Sequence, residues 1–317
     1  MNSVLMLHSV SYAGFWGQAF LRDFIDKAAE LGYSGVMLTA KRPHVSLLDY
    51  GPRERAALRS KLERTGMRRV CIAGYSNFTA DLEHGDIPNR EIQILHVIEL
   101  ARLAHDLGAD LVRIFTGYET AAAGYSQQVK LVVDSIRECS KRASEWGVTI
   151  GVQNHHDIGA GYEALHDLIE AVGEPNCRAL FDAWAPALQG ADLVAAARKM
   201  VPLTVHTTIA DYQLRPRYQY NPAMVNFEPR TPFVQAVPMG EGFIDYRAFL
   251  AELFKHGFTG SVAYEMCSPL LGGGSMENLD RYARGFLEYI AALDLEGVAS
   301  PVPVSVADSL SVSGAGR

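Results

Sequence analysis

Short apolar runs alternate with longer amphipathic stretches along most of this chain, and that alternation limits the folds open to it. Eight runs are typical of β-strands: 4–8, 35–39, 68–74, 110–117, 148–154, 177–182, 203–208 and 260–265. A helical pattern follows each of them, as in 17–31, where Phe24, Ala28 and Leu31 recur at helical spacing. The strands are apolar almost throughout, as parallel strands buried on both faces are. The sequence therefore predicts an α/β fold, a single (β/α)₈ TIM-barrel domain over residues 1–295.

Two segments interrupt this rhythm. Residues 211–238, after the seventh strand, are rich in Tyr, Arg, Asn and Pro, and we expect a long loop there on the rim of the barrel. Loops in that position commonly shape a substrate pocket or a partner surface. Residues 296–317 are rich in Ser, Val, Gly and Pro without periodicity, which predicts a disordered tail.

The composition excludes some classes of partner. The 317 residues carry a formal net charge of −7, which disfavours binding to nucleic acid or to an anionic membrane. No apolar run of transmembrane length appears, and the N-terminus lacks the positive region of a signal peptide. The four cysteines are far apart, with no CxxC pair, so we expect reduced thiols and a cytoplasmic protein.

Four residues with metal-binding side chains end four of the predicted strands: Gln153, Asp182, His206 and Glu265. The carboxyl ends of barrel strands meet at one mouth, so we expect these side chains to form one pocket. Oxygen and imidazole donors with a summed charge of −2 suit a divalent cation. The prediction is Mn²⁺, with Mg²⁺, Co²⁺ and Zn²⁺ as alternatives. Gln153 is the unusual member, because a carboxylate is the expected residue at that position.

Further polar residues follow the strands. His155 shares the strand face of Gln153 by period-two alternation, and we predict it as the general base. The candidates for substrate binding are His8, Lys41, His44, Arg113, His156 and Trp184. For each of them a purely structural role at the rim is the alternative.

Several motifs resemble known proteins. The segments NHH, LFD and VH after or within the fifth, sixth and seventh strands, and MGEGFIDYRAFLAELFKHGFTGSVAYE, resemble the sugar phosphate isomerase/epimerase superfamily of xylose-isomerase-like TIM barrels, over residues 1–293. HSVSYAGFWGQ, LTAKRPH, VRIFTGYE and QNHHD resemble the catalytic α-subunit of C-glycoside deglycosidases. Epimerases of the superfamily have Glu where Gln153 stands and commonly His where Ala185 stands, so the resemblance does not favour epimerisation by two bases.

The narrower resemblance implies a function. C-glycoside deglycosidases use Mn²⁺ to cleave a 3-oxo-glycoside and pair with a small β-subunit. We therefore expect a metal-dependent lyase, in which His155 removes the proton next to the sugar carbonyl and the aglycone is eliminated. The alternative is a keto-sugar isomerase or epimerase with Glu265 as its base. A DNA-repair endonuclease is disfavoured by the net charge, and a non-catalytic binding protein stays open.

Overall fold

The computed structural model describes residues 3–13 and 21–295. This part of the chain contains eight barrel strands: β1 (Leu5–His8), β2 (Gly35–Thr39), β3 (Arg69–Ala73), β4 (Leu111–Ile114), β5 (Thr149–Gln153), β6 (Cys177–Leu180), β7 (Thr204–Ile209) and β10 (Ser261–Tyr264). They are parallel and close into a barrel in the order β1-β10-β7-β6-β5-β4-β3-β2. The predicted (β/α)₈ fold is confirmed.

Helices follow the strands and cover the outside of the barrel. They are α1 (Val10–Ala13), α2 (Leu21–Leu31), α3 (Pro52–Arg64), α4 (Asn89–Asp106), α5 (Tyr125–Ser144), α6 (Tyr162–Val172), α7 (Trp184–Leu188), α8 (Leu193–Met200), α9 (Tyr246–Lys255) and α10 (Met276–Ala292). Asp192 and Asp245 cap α8 and α9 by accepting hydrogen bonds from backbone N–H groups of the first turn. No helix in the described part of the chain is long and apolar enough to cross a membrane.

The lower half of the barrel is filled by side chains. Met6, Met37, Leu111 and Leu180 belong to one buried cluster inside it. Gly151 on β5 gives Leu180 the space it needs, because a Cβ at that position would lie 2.0 Å from Leu180 Cδ1. This packing leaves room for polar side chains only towards the carboxyl ends of the strands.

The long insertion predicted over 211–238 does lie between β7 and α9, but it is a β-hairpin and not an irregular loop. Strands β8 (Asp211–Asn221) and β9 (Asn226–Val237) pair antiparallel. Their pairing shifts register between Arg215 and Arg217, at Pro216, which has no N–H to donate. Alternating Tyr, Arg and Gln side chains suit a strand exposed on both faces, and this pattern outweighs the prolines.

The GEG motif that follows the hairpin forms a turn around a buried carboxylate. Asp211 Oδ2 accepts hydrogen bonds from the N–H groups of Gly240 and Gly242, each 2.9 Å long. A Cβ on Gly242 would lie 1.9 Å from Asp211 Oδ1, so only glycine allows this approach. The turn ties the base of the hairpin to the start of α9. The predicted disordered tail, 296–317, lies outside the described residues.

Candidate active site

A small cavity, the central cavity, opens at the carboxyl ends of β5, β6, β7 and β10 and has about 20 Å³ of free space. Gln153, His155, Asp182 and Glu265 all line it, so four residues that the sequence singled out do meet at the mouth of the barrel. This is the face of a TIM barrel on which catalytic residues are found.

A hydrogen-bonded cluster forms the floor of the cavity. Gln153 Nε2 lies 3.0 Å from Asp182 Oδ2, 3.3 Å from Glu265 Oε2 and 3.1 Å from Thr208 Oγ1. Thr208 also donates its hydroxyl proton to Asp182 Oδ2, at 3.2 Å. All four residues are buried. The amide nitrogen of Gln153 thus joins two carboxylates that would otherwise repel each other.

Asp182 is held by several further contacts. Its Oδ1 accepts the backbone N–H of Trp184 at 3.1 Å, and its own backbone exchanges two hydrogen bonds with the side chain of Asn154. Burial raises the pKa of Asp182 to about 7; the hydrogen bond from Gln153 opposes this rise, and the charge of Glu265 adds to it.

His206 lies deeper in the barrel than the sequence predicted. It does not end its strand: β7 continues to Ile209, and His206 is level with Ser261, four residues before Glu265 on β10. Its Nδ1 is 2.6 Å from Ser261 Oγ. The residue that β7 contributes to the cluster is Thr208, two positions further along the same strand face.

The donor set does not fit a divalent metal. No group of three or more His, Cys, Asp and Glu side chains that could hold a metal ion occurs among residues 3–13 and 21–295. Gln153 presents its nitrogen to the carboxylates, and an amide nitrogen with two protons has no lone pair for a cation. In this arrangement the donor atoms of the four predicted ligands, Gln153, Asp182, His206 and Glu265, do not surround one point, and Nε2 of His206 is buried without a hydrogen-bond partner among the described residues.

His155 stands in the wall of the cavity, between Phe115 and Trp184, with ring centroids 5.3 and 5.1 Å away. Burial lowers its pKa to about 4, and the nearby charge of Glu265 partly offsets this effect. The ring is therefore neutral at neutral pH and able to accept a proton.

A chain of polar groups leads from His155 to the surface. Nδ1 of His155 contacts Nδ1 of His156, and His156 Nε2 lies 2.7 Å from the hydroxyl of Tyr118, which is exposed. His156 and Tyr118 line a second, open cavity of about 450 Å³. The two histidines therefore connect the two cavities.

Arg113 is a buried cation beside these cavities. Its guanidinium lies 4.2 Å from the ring centroid of Phe115 and 4.8 Å from that of Tyr75. Only 1% of the residue is exposed, and neither Nε nor Nη1 has a hydrogen-bond partner among the described residues. Lys41 Nζ lies 4.3 Å from the Tyr75 centroid on the rim of the second cavity. Two cations thus share one aromatic ring.

The other predicted substrate-binding residues take different positions. His8 Nδ1 accepts the N–H of Val10 at 2.8 Å, which leaves Nε2 to carry the proton, 3.9 Å from Glu265 Oε1. Burial holds the pKa of His8 well below its ordinary value. Trp184 lines the central cavity. His44 lines neither of the two cavities at the mouth; it packs on Phe24 and borders a groove beside α3.

Part of the lining of the central cavity was not predicted from the sequence. The missed residues of the central cavity are Thr208, Ile209, Ala210, Tyr212, Tyr246 and Cys267. Thr208 and Cys267 stand two positions after His206 and Glu265, so period-two alternation could have identified them. Tyr246 gave no comparable signal, because it comes from the first turn of α9.

Comparison with known proteins agrees with this architecture. A family model described as a xylose isomerase-like TIM barrel matches residues 25–289. The chain belongs to this family. No curated protein matches the chain. The superfamily predicted from the motifs is thereby confirmed, whereas the closeness to C-glycoside deglycosidases stays a prediction.

Solved structures share the barrel at low sequence identity. D-psicose 3-epimerase from Clostridium cellulolyticum H10, solved with D-tagatose, is 16% identical with a TM-score of 0.71, over 92% of this chain and 99% of that one. An L-ribulose 3-epimerase is 14% identical with a TM-score of 0.70, over 92% and 94%. A probable 3-DHS dehydratase from Bacillus anthracis is 18% identical with a TM-score of 0.68, over 92% and 99%. At these identities the likeness shows the fold alone.

Proposed function

We propose that this protein is a lyase that removes the proton next to the carbonyl of a 3-oxo-glycoside and eliminates the substituent at C1. The observation that carries the proposal is the position of His155. It is a half-buried, neutral imidazole in the wall of a small cavity, and its neighbour His156 opens into a larger one. A base between two adjoining cavities suits a substrate with two parts.

The proposed reaction needs no co-reactant. His155 takes the proton from C2 of the sugar, and the electron pair moves into the C3 carbonyl to form an enolate. The enolate then re-forms the carbonyl and expels the C1 substituent, which leaves a C1–C2 double bond. The aglycone takes up one proton, supplied by His155 or through His156 and Tyr118.

Arg113 would stabilise the enolate. A buried guanidinium without a hydrogen-bond partner on Nε and Nη1 can donate to a developing oxyanion, at little reorganisation cost. Arg113 lies close enough to His155 for its charge to lower the pKa of that ring. The base and the cation therefore act on the same part of the substrate.

The amide-bridged cluster would hold the hydroxyl groups of the sugar. Asp182 and Glu265 offer acceptor oxygens to the cavity, and Gln153 Oε1 is buried without a hydrogen-bond partner among the described residues. A substrate hydroxyl would donate to Gln153 Oε1 and satisfy it. The cluster thus fixes the orientation of the ring relative to His155.

The second cavity would receive the aglycone. The rings of Tyr75, Phe115 and Tyr118 line it, and aromatic walls favour a flat, apolar group. Lys41 at its rim would neutralise a phenolate that leaves.

Isomerisation or epimerisation of a keto-sugar is the second candidate. Glu265 and His155 line the same cavity, so two acid-base groups can face one substrate, as such proton transfers require. D-psicose 3-epimerase and L-ribulose 3-epimerase, which share the fold, are enzymes of this kind. This candidate predicts proton exchange on a free ketose and no release of an aglycone.

A partner subunit, implied by the resemblance to C-glycoside deglycosidases, would find an apolar surface on the hairpin. Tyr218, Met224 and Phe227 are 64, 62 and 62% exposed at its outer end. Exposed aromatic and Met side chains are typical of protein interfaces. We propose this end of the hairpin as the docking surface of a small second subunit.

The experiment that tests the lyase is aglycone release from a phenolic 3-oxo-C-glucoside. The wild-type protein should release the phenol, and His155→Ala should release it at least about a hundredfold more slowly, the usual contribution of a general base. His166→Ala, on the partly exposed face of α6, is the matched control and should keep full activity. Full activity in His155→Ala would contradict the proposal.

A further inference from the structure

Two buried carboxylates side by side need a cation or a hydrogen-bond donor between them. In this protein the donor is the amide NH₂ group of Gln153. Asp182 and Glu265 are 3 and 7% exposed, and both lie within hydrogen-bond distance of one nitrogen, Gln153 Nε2. That nitrogen carries two protons, and the oxygen atoms of Asp182, Thr208 and Glu265 all lie within reach of them. The cluster is thus complete without a further cation between the two carboxylates.

The orientation of the amide follows from its neighbours. If Oε1 faced the carboxylates, three oxygen atoms with partial or full negative charge would share the site, and a cation would be needed to hold them. In the observed orientation Nε2 makes three contacts of 3.0 to 3.3 Å and Oε1 faces away.

The fourth member of the cluster is also a poor metal ligand. Thr208 contributes a neutral hydroxyl that donates to Asp182. The imidazole on the same strand, His206, contacts Ser261 through Nδ1 further down the barrel, and its Nε2 is buried without a hydrogen-bond partner among the described residues. The charge with the largest effect on the pKa of His206 is that of Arg69, at the first position of β3, and not that of Glu265. Divalent transition metals prefer imidazole and carboxylate over hydroxyl and amide groups.

We infer that the amide of Gln153 takes the place of a divalent cation, so that this member of the family holds its two carboxylates without a resident metal. The inference rests on the geometry of the cluster and is independent of the proposed lyase activity. It also identifies the residue that sets this state. A Gln153→Glu substitution replaces the bridging donor by a third carboxylate and should create a cation site.

The test is metal analysis of the full-length protein. Wild type and Gln153→Glu are dialysed against a chelator, then against MnCl₂, and desalted. Bound manganese is measured by mass spectrometry and the melting temperature is recorded. Wild type should retain essentially no manganese, and neither chelator nor MnCl₂ should move its melting temperature. Gln153→Glu should bind about one Mn²⁺ per chain and melt at a higher temperature when it is bound.

Gln128→Glu is the matched control. Gln128 is equally buried, on α5, and its amide makes three hydrogen bonds to backbone groups of the loop before that helix. This variant places a new carboxylate in the interior but not beside Asp182, so it should bind no manganese.

Two outcomes would overturn the inference. The first is manganese or another metal bound at one per chain in wild type, with a lower melting temperature after chelation. A folded Gln153→Glu protein that binds no manganese would overturn it as well. If Gln153→Glu does not fold, the wild-type measurement alone decides.

Discussion

Gln153 donates its amide proton to Asp182 across 3.0 Å, and the same nitrogen reaches Glu265 at 3.3 Å. One neutral side chain therefore joins the ends of three barrel strands, at the point where the sequence predicted a cation. The relationship explains how two buried carboxylates coexist at the mouth of the barrel.

Removing the bridge should destabilise the protein in a pH-dependent way. Gln153→Leu keeps the volume but leaves Asp182 and Glu265 without their shared donor, which should cost roughly 3 kcal/mol at pH 7.5. The loss should shrink at pH 5, because protonation relieves the repulsion between the carboxylates. Urea unfolding at both pH values measures this. Gln128→Leu, the control, should lose the same stability at either pH, and an equal loss in Gln153→Leu at both values would refute the bridge.

His155 and His156 should differ in their effect on turnover. Because His155 lines the central cavity and His156 only extends the chain to solvent, His155→Ala should reduce kcat at least about a hundredfold. His156→Ala should reduce kcat less, since solvent can replace a proton relay. Steady-state kinetics with the phenolic 3-oxo-C-glucoside measures both. Equal losses, or a larger loss in His156→Ala, would reverse the assignment.

Arg113 should matter for activity and not for stability. Its guanidinium is buried without an ion-pair partner among the described residues, so Arg113→Met removes a cost of folding and should leave the melting temperature unchanged or higher. The same change should lower kcat by roughly a hundredfold or more through loss of oxyanion stabilisation. Differential scanning fluorimetry and kinetics on one preparation separate the two effects. A strongly destabilised variant would instead indicate a structural role.

His206 should make stability depend on pH. Burial lowers its pKa to about 3, whereas an unfolded histidine titrates near its ordinary value. Below about pH 6.5 the unfolded chain binds a proton that the folded chain does not, so this group subtracts about 1.4 kcal/mol per pH unit as the pH falls. His206→Asn should be less stable than wild type at pH 7, and the difference should narrow towards pH 5. Urea unfolding across this range checks it; a constant difference would contradict the shift.

The sequence was sufficient to predict the barrel, because eight apolar runs with helical patterns between them have few other solutions. It also identified Gln153, Asp182 and Glu265, since residues that follow parallel strands must meet at one mouth. His206 lies deeper than expected because it stands in the middle of β7, level with Ser261, and the position along a strand decides which side chain reaches the mouth. The direction of the Gln153 amide depends on contacts between distant strands, which no local pattern contains.

The hairpin is a second feature that the sequence did not predict. Proline and polar residues predicted a loop, but cross-strand pairing is a tertiary property, and Pro216 is accommodated where the pairing shifts register. His44 was expected at the mouth because it follows the predicted strand 35–39. The turn after β2 instead directs it towards Phe24. The position of a residue along its strand determines its depth in the barrel. The path of each loop determines which residues a loop side chain contacts.

The most direct test of the proposed function follows the hydrogen at C2. A phenolic 3-oxo-C-glucoside carrying deuterium at C2 is incubated with the wild-type protein, with a reaction without protein as the control, and the sugar product is analysed by mass spectrometry. We predict that every released aglycone is matched by a sugar product that has lost the deuterium. Aglycone release with deuterium retained at C2 would contradict proton abstraction, and loss of deuterium without aglycone release would favour epimerisation.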